Sequence, residues 1–314
     1  MTVKSSLVKA YKILQDAKVS EPEKSADFLM RQVLGWDKAQ LITHSDYKLN
    51  DKEEKKFRQF IERRSKHEPV WYITGQIEFY GLDLAVNQNV LIPRPETELL
   101  VEQVVNNIKQ LTNHKKDLRI LELGTGSGAI SLALANEVKN KKEGFRVTST
   151  PSGVYPSLAE NGQAGQNDIK IFASDISEKA LKVAKGNAKS LGLDKEIELR
   201  QGDLFEPWKG EKFDYLVANL PYIPHEEMKT LVLDIHHWEP RIALDGGREG
   251  LEIYERLLEQ ASDYLNKNYR IFFEIGIGQG EKIRNLATKH ISGSQVEIKR
   301  DYSNIDRIAI IKGK

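Results

Sequence analysis

Apolar positions recur at helical spacing through the first seventy residues. Leu7, Tyr11 and Leu14 fall on one face of a helix over residues 5–17, and Ala26, Leu29, Met30, Val33 and Leu34 form a second stripe from Glu21 to Gly35. Phe57, Phe60 and Ile61 form a third between Glu53 and Lys66. The pattern predicts a small helical bundle over residues 1–70, near the lower size for an independent domain. The third helix carries Lys55, Lys56, Arg58, Arg63 and Arg64 on its polar side. That side reads either as a solvated surface or as a docking face for a macromolecular partner. Pro69 closes the helix, and Trp71–Gly75 and Phe79–Val86 read as short strands around a glycine turn. A β-hairpin linker is expected over residues 71–92.

Beyond residue 92 the period changes. Leu91-Ile92-Pro93-Arg94-Pro95-Glu96-Thr97-Glu98 fences an arginine between two prolines, with Thr97 placed to cap a helix from Glu98 to about Leu111. Continuous apolar strands then alternate with helices. The strands are Asp117–Leu123, Ile169–Asp175, Ile197–Asp203, Phe213–Ala218 and Arg270–Ile275, and the helices Ala129–Asn140, Ser177–Leu191, Leu251–Leu265 and Gly280–Lys289. Gln295–Arg300 and Ile305–Lys312 close the chain as an antiparallel pair. Unbroken apolar strands belong to a parallel sheet covered on both faces. The expected fold over residues 93–314 is therefore α/β, a doubly wound, mostly parallel sheet with one reversed strand. Residues 144–167 break the rhythm: they are rich in Gly, Ser, Pro, Asn and Gln, and are expected to be a flexible surface insertion.

Composition narrows the function classes. The 314 residues carry 47 Lys plus Arg against 46 Asp plus Glu, so no overall basic field advertises nucleic-acid binding. There is no cysteine, which excludes disulfides, thiolate metal sites and cysteine nucleophiles. No apolar run approaches membrane-spanning length and the first residues do not form a signal peptide, so a cytoplasmic protein without a membrane partner is expected. His225, His236 and His237 are clustered but match no zinc-helix pattern, and no metal is expected.

Candidate chemistry sits at four strand ends. Gly124-Thr125-Gly126-Ser127-Gly128 turns from the first strand of this series into a helix, whose N–H groups suit a carboxylate or phosphate. By itself the turn reads as a nucleotide site or as a tight turn. It lacks the Gly-x-Gly-x-x-Gly spacing and the phosphate-loop lysine, which disfavours a dinucleotide or NTP-hydrolysing site. Asp175 ends the second strand, where an acid can hold ribose hydroxyls or can cap the following helix. Asp203, followed by Leu204, ends the third and can accept from an adenine amino group. Asn219-Leu220-Pro221-Tyr222 ends the fourth, offering an amide, a carbonyl, a locked φ and an aromatic face at the sheet edge. The coincidence at successive strand ends outweighs any single motif.

Together these motifs resemble the class I S-adenosylmethionine-dependent methyltransferases that act on planar amino nitrogens. The stretches Leu91–Glu98, Asn219–Pro224, Glu239–Gly250 and Glu274–Glu281, behind a helical amino-terminal domain, are similar to the HemK/PrmC family. That resemblance covers nearly the whole chain, departing at Leu220, where proline is more frequent, and at the 144–167 insertion. It implies methylation of the glutamine amide in the Gly-Gly-Gln motif of peptide chain release factors, with S-adenosyl-L-methionine as cofactor. The cofactor would lie against Gly124, Thr125, Gly126, Ser127, Gly128, Asp175, Asp203, Leu204 and Asn219. Asn219, Leu220, Pro221 and Tyr222 would receive the amide, with Arg94 bordering the substrate channel. A ribosomal-protein glutamine methyltransferase, a DNA adenine-N6 methyltransferase and a non-catalytic cofactor-binding module stay open as alternatives. A monomer without direct nucleic-acid contact is expected.

Overall fold

The structure, a computed structural model, describes residues 1–110, 117–143 and 168–313. The expected insertion at 144–167 lies outside the described residues. The chain divides into two compact units, Met1–Gln76 with Leu231–Glu239, and Ile77–Thr230 with Pro240–Lys314.

The smaller unit holds α1 (Val3–Asp16), α2 (Pro22–Leu34), α3 (Lys38–Thr43), α4 (Asp51–Arg64) and α5 (Val70–Thr74). The apolar stripes meet as expected: Leu7, Leu14, Leu29, Met30, Phe57 and Ile61 are buried in one cluster. Each such side chain contributes roughly 1.5–3 kcal/mol. Three details differ from the sequence reading. Trp71–Gly75 is no strand: Val70–Thr74 is one helical turn that Gly75 ends at φ +82°. A capping box at Asn50 and Glu53 starts α4 at Asp51, two residues early. A capping box at Asp37 and Gln40 forms α3, which is too short to show a periodic stripe.

The polar side of α4 is only partly solvated. Arg64 is 3 % exposed. Its guanidinium donates to Asp234 at 2.6 Å, Ser25 Oγ at 3.2 Å and the Glu68 carbonyl at 3.1 Å. Arg63 pairs with Glu68. Asp234 belongs to α9 (Leu233–Trp238), which also holds His236 and His237, so these two are helical residues.

The hairpin, β1 (Gln76–Phe79) and β2 (Leu82–Ala85), begins after α5, and its turn at Tyr80-Gly81 breaks the stretch Phe79–Val86 that the sequence reads as one strand. The larger unit continues with α6 (Thr97–Gln110), β3 (Asp117–Leu123), α7 (Ala129–Glu143), β4 (Asp168–Asp175), α8 (Glu178–Ser190), β5 (Ile197–Gln201) and β6 (Phe213–Ala218). After α9, the chain adds α10 (Glu252–Tyr264), β7 (Leu265–Glu274), α11 (Gly280–His290), β8 (Gln295–Arg300) and β9 (Asp306–Lys312). The seven strands order as β5-β4-β3-β6-β7-β9-β8, parallel except for β9, which runs against both its neighbours. All six residues of β6 are buried, as a strand covered on both faces requires. From β3 the order runs outward through β4 to β5, then returns to the other side of β3 for β6. That reversal opens a crevice past the carboxyl ends of β3 and β6, where such sheets take ligands.

Candidate active site

The crevice is a cavity of about 330 Å³. Gly124, Thr125, Gly126 and Ser127 line it from the turn after β3, Asp175 from the end of β4, and Asp203 and Leu204 from the segment after β5. Asn219, Leu220 and Pro221 line it from the end of β6. Gly128, Tyr222 and Arg94 stand outside this lining. At Gly128 the requirement is packing, since a Cβ there would sit 2.8 Å from Leu132 Cδ1 and 3.3 Å from Ala184 Cβ. At Gly124 (φ +77°) a Cβ would meet Leu220 Cδ2 at 2.8 Å, so the turn after β3 presses directly on the residues after β6.

Asp175 combines two tasks. One carboxylate oxygen accepts from the Gly126 N–H and the other from the Ser177 N–H, both at 2.8 Å. Ser177 itself caps α8 through Ala180 N–H. Burial raises the Asp175 carboxyl above its ordinary range, and the two backbone donors pull it back down. Asp203 forms an ion pair with Arg256 at 2.5 Å, and Arg256 also lines the cavity. Beneath the glycine turn lies Glu122, 2 % exposed, accepting from Thr125 Oγ1 at 2.6 Å and Ser131 N–H at 3.1 Å. Burial pushes its pKa up to about 7 against the pull of those donors.

The tetrapeptide after β6 is gripped from below. Asn219 Nδ2 donates to Thr97 Oγ1 at 3.1 Å, and Thr97 donates onward to Glu274 Oε2 at 2.6 Å. The Tyr222 hydroxyl lies 3.4 Å from Glu274 Oε1, and Gln279 Nε2 donates to the Tyr222 carbonyl at 2.9 Å. Tyr254, fully buried, accepts from the Leu220 N–H at 3.1 Å and donates to the Glu274 carbonyl at 2.6 Å. Its hydroxyl also lies 3.1 Å from the Leu220 carbonyl. Burial drives Glu274 up to about 7, opposed by Thr97, Arg307 and Tyr222.

Thr97 therefore does not act as the expected helix cap. It is 3 % exposed, and its hydroxyl bridges Asn219 and Glu274. Sequence reasoning missed Glu122, Glu274, Tyr254 and Gln279. A signal existed for the two acids, since each follows a buried apolar run: Glu122 comes after Ile120-Leu121 and Glu274 after Ile271-Phe272-Phe273. A carboxyl in such a place must be held by hydrogen bonds.

A doubly wound sheet, a glycine turn after its first parallel strand, acids at the next two strand ends and Asn-x-Pro-Tyr at the fourth define a class I methyltransferase using S-adenosyl-L-methionine. Residues 6–75 match the family described as PrmC N-terminal domain, and residues 114–274 the family described as Methyltransferase domain. The release factor glutamine methyltransferase of Clostridium acetobutylicum is 34 % identical over 99 % of this chain and 98 % of its own length. That of Thermodesulfovibrio yellowstonii is 37 % identical over 92 % of each, and that of Bacillus cereus 34 % over 91 % of each. The chain belongs to the release factor glutamine methyltransferase family.

Proposed function

We propose that this protein methylates the side-chain amide nitrogen of the glutamine in the Gly-Gly-Gln motif of peptide chain release factors. The observation that carries the reading is that the glycine turn after β3 and Asn219 after β6 line one cavity. The near-full-length relatives named for the same reaction support it. The cavity fits the cofactor chemically, with a glycine backbone that lets a ligand approach closely, carboxylates at Asp175 and Asp203 for hydroxyl and amino donors, and an apolar partner in Leu204. S-adenosyl-L-methionine, when bound, supplies an electrophilic methyl that the amide nitrogen takes as the C–S electron pair stays on sulfur and one nitrogen proton is lost to water.

The residues of the chain then have to overcome one difficulty. A primary amide nitrogen is a weak nucleophile because its lone pair is delocalised into the carbonyl. Asn219 Oδ1 and the Leu220 carbonyl each accept one N–H of the substrate amide, which turns the lone pair toward the methyl and stabilises positive charge developing on nitrogen. The Leu220 carbonyl has a second lone pair for this besides the one facing Tyr254. Pro221 fixes the carbonyl, and Tyr222, outside the cavity lining, is held behind it through its hydroxyl at Glu274 and its carbonyl at Gln279. No strong base is needed, since methylation itself acidifies the nitrogen. Among the described residues no helix is long and apolar enough to cross a membrane.

The test is transfer of labelled methyl from the cofactor in separate incubations with release factor, ribosomes and DNA. Label is expected on the release-factor glutamine, and Asn219→Ala is expected to cut the rate by ~100-fold or more while cofactor affinity persists. Label on DNA with an unlabelled release factor would overturn the assignment, and label confined to ribosomal protein would move the substrate to that glutamine.

A further inference from the structure

We propose that Thr97 and Glu274 are positioning residues that set the polarity of the Asn219 amide, holding its oxygen toward the cavity and its nitrogen toward the protein. This rests on the reading that Asn219 receives a planar N–H donor. An asparagine amide is nearly symmetric in shape, and only its hydrogen bonds decide which end faces the substrate. If Nδ2 faced the cavity, it would present N–H to N–H and repel the substrate amide.

The chain Asn219 Nδ2 to Thr97 Oγ1 to Glu274 Oε2, at 3.1 Å and 2.6 Å, removes the ambiguity. An ionised carboxylate can only accept, so the Thr97 proton must point at Glu274. The hydroxyl then has only lone pairs left for Asn219 and must receive Nδ2–H. Oδ1 is thereby turned to the cavity, which both Asn219 and Thr97 line. A protonated Glu274 would break this logic. It can donate to Thr97, freeing the Thr97 proton to bond Asn219 Oδ1 and permitting the reversed amide.

Glu274 is placed to undergo that change. It is 1 % exposed. The groups around it are Thr97 from the start of α6, Glu96 beside it, Tyr222 after β6 and Arg307 on β9. The Tyr254 hydroxyl donates to its backbone carbonyl. Arg307 is shared with Asp301 at 3.2 Å, so the cation only partly offsets the burial of Glu274. With burial dominant, Glu274 titrates near 7, so kcat falls on acidification as the polarity is lost.

Thr97→Val, Thr97→Ser and Glu274→Gln separate this role from simple packing. Valine keeps the volume of threonine but removes the relay, and serine keeps the hydroxyl but loses the methyl. We expect Thr97→Val to lower kcat by about 10- to 100-fold, with cofactor affinity by calorimetry within about twofold, and Thr97→Ser to stay near wild type. Glu274→Gln is expected to lower kcat and to abolish the fall in kcat below pH 7 at saturating cofactor. Undiminished turnover of Thr97→Val, equal loss in Thr97→Ser, or an unchanged acid limb in Glu274→Gln would each overturn the relay. Failure of the substrate assignment is distinguishable, because it shows as wild-type label on another macromolecule, and each competing target still presents a planar amino group to Asn219.

Discussion

At the scale of single residues, Leu220 explains one contact that a family pattern would not suggest. Where proline is more frequent, leucine introduces a backbone N–H at a buried position, 5 % exposed. The Tyr254 hydroxyl takes that N–H at 3.1 Å. Removing the hydroxyl would leave the N–H unsatisfied, at a cost of about 1–3 kcal/mol. Tyr254→Phe should therefore destabilise the larger unit by that amount in denaturant unfolding. In a Leu220→Pro background the orphan donor no longer exists, so the penalty should shrink to the lost bond with the Glu274 carbonyl. Equal penalties in the two backgrounds would show that the hydroxyl serves only Glu274. The sequence disclosed Gly124–Ser127, Asp175, Asp203, Leu204 and Asn219–Pro221 among the residues lining the cavity, because glycine turns, strand-terminal acids and Asn-x-Pro-Tyr are chemically unusual. It did not disclose the bridging role of Thr97, which reads as a helix cap, or Tyr254, since the importance of both lies in what they touch.

At the scale of elements, what was legible was whatever local periodicity or chemistry determines. Unbroken apolar runs revealed the parallel strands, because burial on both faces leaves no polar alternation. The Trp71–Thr74 stretch misled because aromatic and β-branched residues favour strands, yet Pro69 before it and Gly75 after it frame a single helical turn. Arg64 looked like part of a solvated face because its counter-ion is 170 positions away. Asp234→Ala would strand the Arg64 guanidinium with Ser25 and the Glu68 carbonyl but no opposite charge. Breaking a buried pair from one side costs about 3 kcal/mol, so thermal unfolding of the smaller unit should move to markedly lower temperature. Asp234→Asn, which keeps an acceptor, should lose less. If Asp234→Ala left amide exchange in α2 and α4 at wild-type rates, the pair would be a surface contact with little energetic role.

At the scale of the whole molecule, Glu122 and Glu274 set stability and activity against each other. Each sits almost wholly buried near the carboxyl end of a central strand, and each is pushed up to about 7 by burial. A carboxyl whose folded pKa lies above its unfolded value stabilises the fold most below the unfolded value, 4.5 for both acids, and that stabilisation is lost as pH rises through about 7. From pH 8 to pH 6 each acid should add roughly 1 kcal/mol to unfolding of the sheet. The carboxylates held below their ordinary range, such as Asp245 and Glu297, favour the opposite trend. They titrate in more acidic solution and leave this window nearly undisturbed. Hydrogen exchange of β3 and β7 amides should therefore slow between pH 8 and pH 6 once intrinsic exchange rates are divided out, and the slope should vanish in the Glu122→Gln/Glu274→Gln double variant. Turnover moves the other way, because the Asn219 relay needs Glu274 ionised. A wild-type sheet that becomes more stable from pH 6 to pH 8 would contradict the buried-acid account. The expected opposition, with the sheet most stable where the enzyme is slowest, means that the ionised Glu274 needed for turnover is held at the expense of fold stability.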